Sequence, residues 1–291
     1  MSIDATRPPV VMPPTATMTT CDGATIPYRV KGSGPAVILV HGWSQSGAMF
    51  QHQLDAWSDR FTVIVPDIRG HGEAPTPAGG LRMARLARDV AELIAHLGLD
   101  RVSLLGWSMG VSVLWAYVDL FGTDAVERFV LVDQPSMLTV LPGMGEEEAQ
   151  DAGALFTVPV LYDLYATLRG PDAEAARAGF VAGMVTTTIA PALYDWILAE
   201  NAKTPPTVAA DMLLSHCTND WRDVLGRIDR PTLVIGGSVS HVPPRSQRFV
   251  HARIPGATYH EFDAEAGGAH FPFLEAPDAF NRVVGAFLDG R

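Results

Sequence analysis

Within LLGWSMGVSVLWAY, residues 104–117, Ser108 is a small hydroxyl set between Gly106 and Gly110, with apolar chain on both sides. A serine at the joint of a strand and a helix sits on a sharp turn, and flanking glycines let the two elements approach closely. Such a joint presents Ser108 Oγ at the carboxyl edge of a sheet, beside helix-start amides that favour negative charge. The chemistry implied is nucleophilic attack, although a G-x-S-x-G run also arises as an ordinary turn in glycine-rich chains. A serine hydroxyl is a poor nucleophile at neutral pH and needs a base, most often a histidine within about 2.6 to 3.2 Å. Nine histidines are available, and His270 stands in AGGAHFPFLEAPDAF, after a strand-like run and a glycine-rich turn. A carboxylate that orients the imidazole would complete the set.

The elements that must position these groups alternate. Short runs rich in β-branched residues are TIPYRV (25–30), AVILVHG (36–42), FTVIVPD (61–67), RVSLLGW (101–107), ERFVLVD (127–133), PTLVIGG (231–237) and ATYHEFD (257–263). Segments of helical period separate them, with Met49, Phe50, Leu54 and Trp57 on one stripe and Leu86, Val90, Leu93, Ile94 and Leu97 on another, before a stop at Gly98. A helix is predicted over 109–121 and a last one over PDAFNRVVGAFL. This pattern predicts an α/β fold with a mostly parallel sheet covered by helices on both faces. From about 135 to 225 only helical patterns appear, which predicts an inserted helical domain. The expected division is an N-terminal arm over 1–19, a core over 20–134 and 226–291, and a helical cap over 135–225.

With these motifs in place, the chain resembles the α/β-hydrolase superfamily over essentially residues 20–291. The resemblance implies an eight-stranded sheet with the cap inserted after strand six, Ser108 as nucleophile and His270 as base. Gly267, His270, Glu275 and Pro277 match the family's G-x-x-H-x-x-x-x-E-x-P ending. It also implies that the backbone amides of Trp43, in HGWSQSG, and of Met109 form the oxyanion hole, with His41 a scaffold residue. Asp67, Arg69 and His71 in PDIRGHGEAP shape a loop and do not react.

One part of the family pattern is missing. The acid is usually carried after strand seven, but here that stretch is IGGSVSHVPP, with Ser240 at the expected position and no carboxylate between Asp229 and Glu261. Asp133 ends strand six, which in this architecture lies beside both the nucleophile strand and strand seven, so it is the acid assigned. Two alternatives stand beside it: Asp133 as a mere cap on the loop before Pro135, and Asp263 facing His270 from its own loop. Ser240 is expected to hydrogen-bond the triad region or cap the next helix, and His241 to line the cleft. His52, His96, His216, His251 and His260 read as solvated or core histidines.

The function expected is hydrolysis of a moderately large apolar carboxylic ester or lactone through an acyl-enzyme on Ser108, with no metal or organic cofactor. A serine nucleophile disfavours dehalogenase and epoxide hydrolase chemistry, which use a carboxylate. Cofactor-free perhydrolysis of the haloperoxidase type, a C–C hydrolase or lyase, and a non-catalytic ligand-binding member of the fold are the alternatives. Asp133 close to a proline, and HFPF at 270–273, resemble resorcylic-lactone hydrolases. A formal charge of -11 argues against nucleic acid or an anionic membrane as partner. The proline-interrupted start lacks the regions of a secretory leader, which implies a cytoplasmic protein. Cys21 and Cys217 are too few and too far apart for a disulfide framework or a zinc site, and are expected as reduced thiols. Oligomeric state is left open.

Overall fold

Five consecutive aliphatic residues can be buried on both faces only inside a covered sheet, and Ala36–Val40 lies there, wholly buried. Successive side chains of a strand point to opposite faces. Ile38 and Val40 therefore enter one hydrophobic cluster and Val37 and Leu39 the other. The computed structural model describes residues 2–290. Its main sheet has strands β1 (Ala16–Thr19), β2 (Thr25–Lys31), β3 (Ala36–Val40), β4 (Thr62–Pro66), β5 (Val102–Trp107), β6 (Val126–Val132), β7 (Thr232–Gly237) and β8 (Thr258–Phe262). Their order is β1-β2-β4-β3-β5-β6-β7-β8. The β1–β2 and β2–β4 pairs are antiparallel and the others parallel. Residues 16–19, placed in the N-terminal arm from the sequence, thus form the edge strand of the sheet.

Helices α1 (Gln51–Trp57), α2 (Met83–His96) and α3 (Met109–Phe121) follow β3, β4 and β5. The α2 stripe of Leu86, Val90, Leu93 and Ile94 is buried, while α3 is buried over nearly all its circumference from Met109 to Val118. That difference follows composition: α2 carries a charged outer face, and α3 has almost none until Asp119.

Between β6 and β7 the chain makes a helical excursion through α4 (Glu146–Ala152), α5 (Val158–Leu168), α6 (Ala173–Ala182), α7 (Pro191–Ala202), α8 (Pro206–Cys217) and α9 (Arg222–Leu225). The excursion is not purely helical, because Thr139–Val140 and Phe156–Thr157 pair as a short parallel ribbon. The single run EEEAQDAGALFTVPVLYDLYATL is divided between α4 and α5. Gly153 ends α4 in the left-handed region at φ 79°, and Pro159 restarts a helix in the first turn of α5. The chain closes with α10 (Pro244–Arg253), α11 (Pro272–Glu275) and α12 (Pro277–Leu288). Among the described residues no helix is long and apolar enough to cross a membrane.

The loop after β4 is built on buried polar groups. Asp67 accepts from the Gly47 amide at 2.6 Å and from Arg29 at 3.2 Å, and Arg69 forks onto Asp89 with two contacts of 2.8 Å. His41 Nε2 accepts from the Ile68 amide at 3.0 Å while its Nδ1 donates to the Gly42 carbonyl at 2.9 Å. The His71 ring centre lies 5.5 Å away, and its Nδ1 donates to the Arg69 carbonyl. Both rings are therefore held neutral. Burial pushes His41 down to about 4 and His71 to about 3.

Because an unfolded histidine titrates near 6.5, the unfolded chain takes up protons that the folded one refuses as pH falls below that value. Stability must drop through this window, by on the order of 2 kcal/mol per histidine between pH 7 and pH 5. Urea unfolding at the two pH values checks this, and equal stability at both would contradict it.

Candidate active site

Strand β5 delivers Ser108 to the carboxyl edge of the sheet at φ 54° and ψ -128°, a conformation that L-residues rarely adopt and that costs about 1 to 3 kcal/mol. The turn holds because its surroundings leave no alternative. A Cβ on Gly110 would stand 2.1 Å from the Val40 carbonyl oxygen, and one on Gly106 would stand 2.7 Å from the Gly110 backbone. The Ser108 amide donates to the Val132 carbonyl at 2.9 Å, which ties the turn to β6.

Asp133 follows β6 directly and is also in the left-handed region, at φ 53°. Its amide donates to the Ile235 carbonyl of β7 at 2.8 Å. Its Oδ2 lies 2.7 Å from His270 Nδ1, with both side chains almost fully buried. Ser240 Oγ donates to the same Oδ2 at 2.5 Å and accepts from the Val242 amide at 3.1 Å, so it serves both the carboxylate and the start of the next loop. Asp263 is turned elsewhere: exposed, it accepts from the Ala266 amide within its own turn at 2.7 Å.

The His270 backbone is held at both ends of the residue. Its carbonyl accepts from Trp107 Nε1 at 2.8 Å and its amide donates to the Met184 carbonyl at 2.9 Å. The His241 ring sits edge-on at 4.5 Å between centres. Burial pushes the His270 imidazole well below its ordinary value, so the resting ring is neutral. With Nδ1–H donated to Asp133, the free lone pair falls on Nε2. Burial pushes the Asp133 carboxyl upward, opposed by the Ser240 hydroxyl, by His241 and by the Gly237 amide.

Met109 opens α3, and the first amide of a helix has no intrahelical acceptor. Among the described residues the Trp43 amide likewise has no backbone acceptor. The Trp43 indole has a separate task, donating to the Ala209 carbonyl of α8 at 2.7 Å and packing edge-on against Phe180 of α6. It fastens the loop after β3 to the helical excursion.

Ser108 and His270 open onto one cavity of about 60 Å³, walled by Trp43, Leu138 and helical residues including Phe180 and Leu213. That volume is room for a short acyl group. None of the lining residues is Lys, Arg, Asp or Glu. His216, which the sequence suggested was a core or solvated histidine, is a cavity residue, as is Gln45 of the HGWSQSG loop. The loop motif could have pointed to Gln45, whereas nothing near His216 in LLSHC marks it. Cys217 also lines the wall, and burial pushes its thiol up, which keeps it protonated and unreactive. Among the described residues no group of three or more His, Cys, Asp or Glu could hold a metal ion.

Residues 35–277 match the family described as the alpha/beta hydrolase fold. The chain is 29% identical over 293 residues to an uncharacterised protein of Mycobacterium tuberculosis, covering 96% of this chain and 82% of that one. It is 28% identical to 3-oxoadipate enol-lactonase 2 of Acinetobacter baylyi, covering 87% and 88%. Its fold is similar to a bromoperoxidase from Bacillus anthracis at a TM-score of 0.83, with 24% identity and coverage of 92% and 96%.

The glycine at position 110 is open to a direct check. Gly110→Ala must displace either α3 or β3, and is expected to destabilise the fold by about 3 kcal/mol. Thermal unfolding equal to that of the parent would contradict the close approach.

Proposed function

The chain belongs to the α/β-hydrolase family, and from that premise we propose that it is a serine hydrolase of carboxylic esters or lactones. The observation that carries the reading is the 2.7 Å contact between His270 Nδ1 and Asp133 Oδ2, in the cavity wall that also presents Ser108 on its strained turn. With Nδ1 committed to Asp133, His270 Nε2 takes the Ser108 proton as Oγ attacks the substrate carbonyl. The Trp43 and Met109 amides hold the oxyanion, a contribution of about 2.7 to 4 kcal/mol per donor. Collapse expels the alcohol, protonated by His270. His270 then takes a proton from water, which attacks the acyl group and restores Ser108.

Asp133 stabilises the imidazolium that forms in both halves, and Ser240 holds the carboxylate from the other side. The helical segment 135–225 acts as a cap over the cavity, which keeps bulk water from the acyl-enzyme and strengthens each of these electrostatic contacts. Similarity over most of the chain to an enol-lactonase supports the ester and lactone class. The cavity volume favours a short acyl part, with a bulkier leaving group toward the opening.

Turnover of 4-nitrophenyl butyrate in three variants tests the assignment. Ser108→Ala is expected to abolish it, Asp133→Asn to lower kcat by about 10,000-fold through the wrong tautomer, and Ser240→Ala to lower it by about 10-fold. Parent-like rates in Asp133→Asn would refute the acid's role, and unchanged rates in Ser108→Ala would refute the mechanism.

A further inference from the structure

The cavity holds polar groups that the mechanism does not use. Gln45 and His216 line its wall, and their Oε1 and Nδ1 atoms are buried with no hydrogen-bond partner among the described residues. Both residues are nearly inaccessible, Gln45 at 2% and His216 at 5% exposure. Unpaired buried acceptors and donors are uncommon in native structures and call for an explanation. Here two of them belong to residues of separate elements, the loop after β3 and the last turn of α8, that line one cavity.

Among the described residues His241 Nδ1 is also without a partner, but its ring lies against His270 and belongs with the proposed triad. Burial keeps the His216 imidazole neutral, and the nearby His270 adds to that by disfavouring a charge on both rings at once.

We propose that Gln45 and His216 form a subsite for an uncharged hydroxyl on the acyl part of the substrate, so that short hydroxyacyl esters or hydroxylated lactones are preferred over their deoxy counterparts. This rests on the serine-hydrolase reading above and names its substrate class. A hydroxyl is the group that matches the pair, since it donates one hydrogen bond and accepts others. It donates to the Gln45 carboxamide oxygen and pairs with His216 through whichever role the imidazole tautomer leaves open. An ionised acyl group is disfavoured, because the lining residues include no Lys or Arg to receive it. A site built for a hydroxyl rejects the analogue that lacks it, because its own polar groups are then left unpaired.

The test compares kcat/KM for 4-nitrophenyl 3-hydroxybutyrate, butyrate and hemisuccinate in the parent, Gln45→Met and His216→Phe. The parent is expected to favour the hydroxylated ester over butyrate by about 10-fold or more, with hemisuccinate the poorest. Each variant is expected to bring the first ratio close to one. A variant that merely misfolds lowers both rates together and keeps the ratio, so the ratio reads the subsite alone.

A parent ratio near one, or a ratio unchanged in both variants, would overturn the proposal. Should no ester be hydrolysed, it is the serine-hydrolase reading that fails. NMR titration of Ser108→Ala with methyl 3-hydroxybutyrate and methyl butyrate then decides the subsite: preference for the first, lost on adding His216→Phe, supports it, and equal binding overturns it.

Discussion

The site depends on one buried hydrogen bond between residues 137 positions apart, His270 Nδ1 to Asp133 Oδ2. Neither group could be left alone at that depth, since an unpaired buried polar group costs about 1 to 3 kcal/mol and an unpaired charge more. The sheet order makes the contact possible. β6 lies between β5, which carries Ser108, and β7, which leads to Ser240, so a carboxylate at the end of β6 reaches the ring from the nearer side. Ser240, at the position where the sequence pattern led us to expect an acid, donates to the Asp133 carboxylate.

Among the described residues only three besides glycine have positive φ: Ser44 at 52°, Ser108 at 54° and Asp133 at 53°. They follow β3, β5 and β6, three neighbouring strands, at the same edge of the sheet. Backbone strain of this kind persists only where the surroundings over-determine it. Tight strand and helix packing at Gly106 and Gly110 does so for Ser108, and the amide bond to β7 does so for Asp133. The buried central strands are therefore what supplies a rigid rim, and the loops and helices above them supply shape.

Much of this frame is legible in the sequence because it rests on local signals. The apolar runs of β3 and β5, the glycines around Ser108 and the start of α3 at Met109 each follow from residue type and spacing alone. Edge strand β1 was hidden by the prolines before it, and the ribbon of Thr139–Val140 with Phe156–Thr157 is too short to show a period. The cavity wall was illegible for a different reason. His216 and the indole of Trp43 reach the cavity wall only when the helical excursion folds back on the loop after β3, and no spacing along the chain records that contact. The cavity is likewise a property of packing.

The most direct measurement of the central contact is proton NMR of protein labelled with nitrogen-15 at histidine. A strongly hydrogen-bonded, buried Nδ1 proton of His270 is expected far downfield and slow to exchange. The account predicts that this resonance is lost in Asp133→Asn and kept in Asp263→Asn. Its survival in Asp133→Asn would contradict the account.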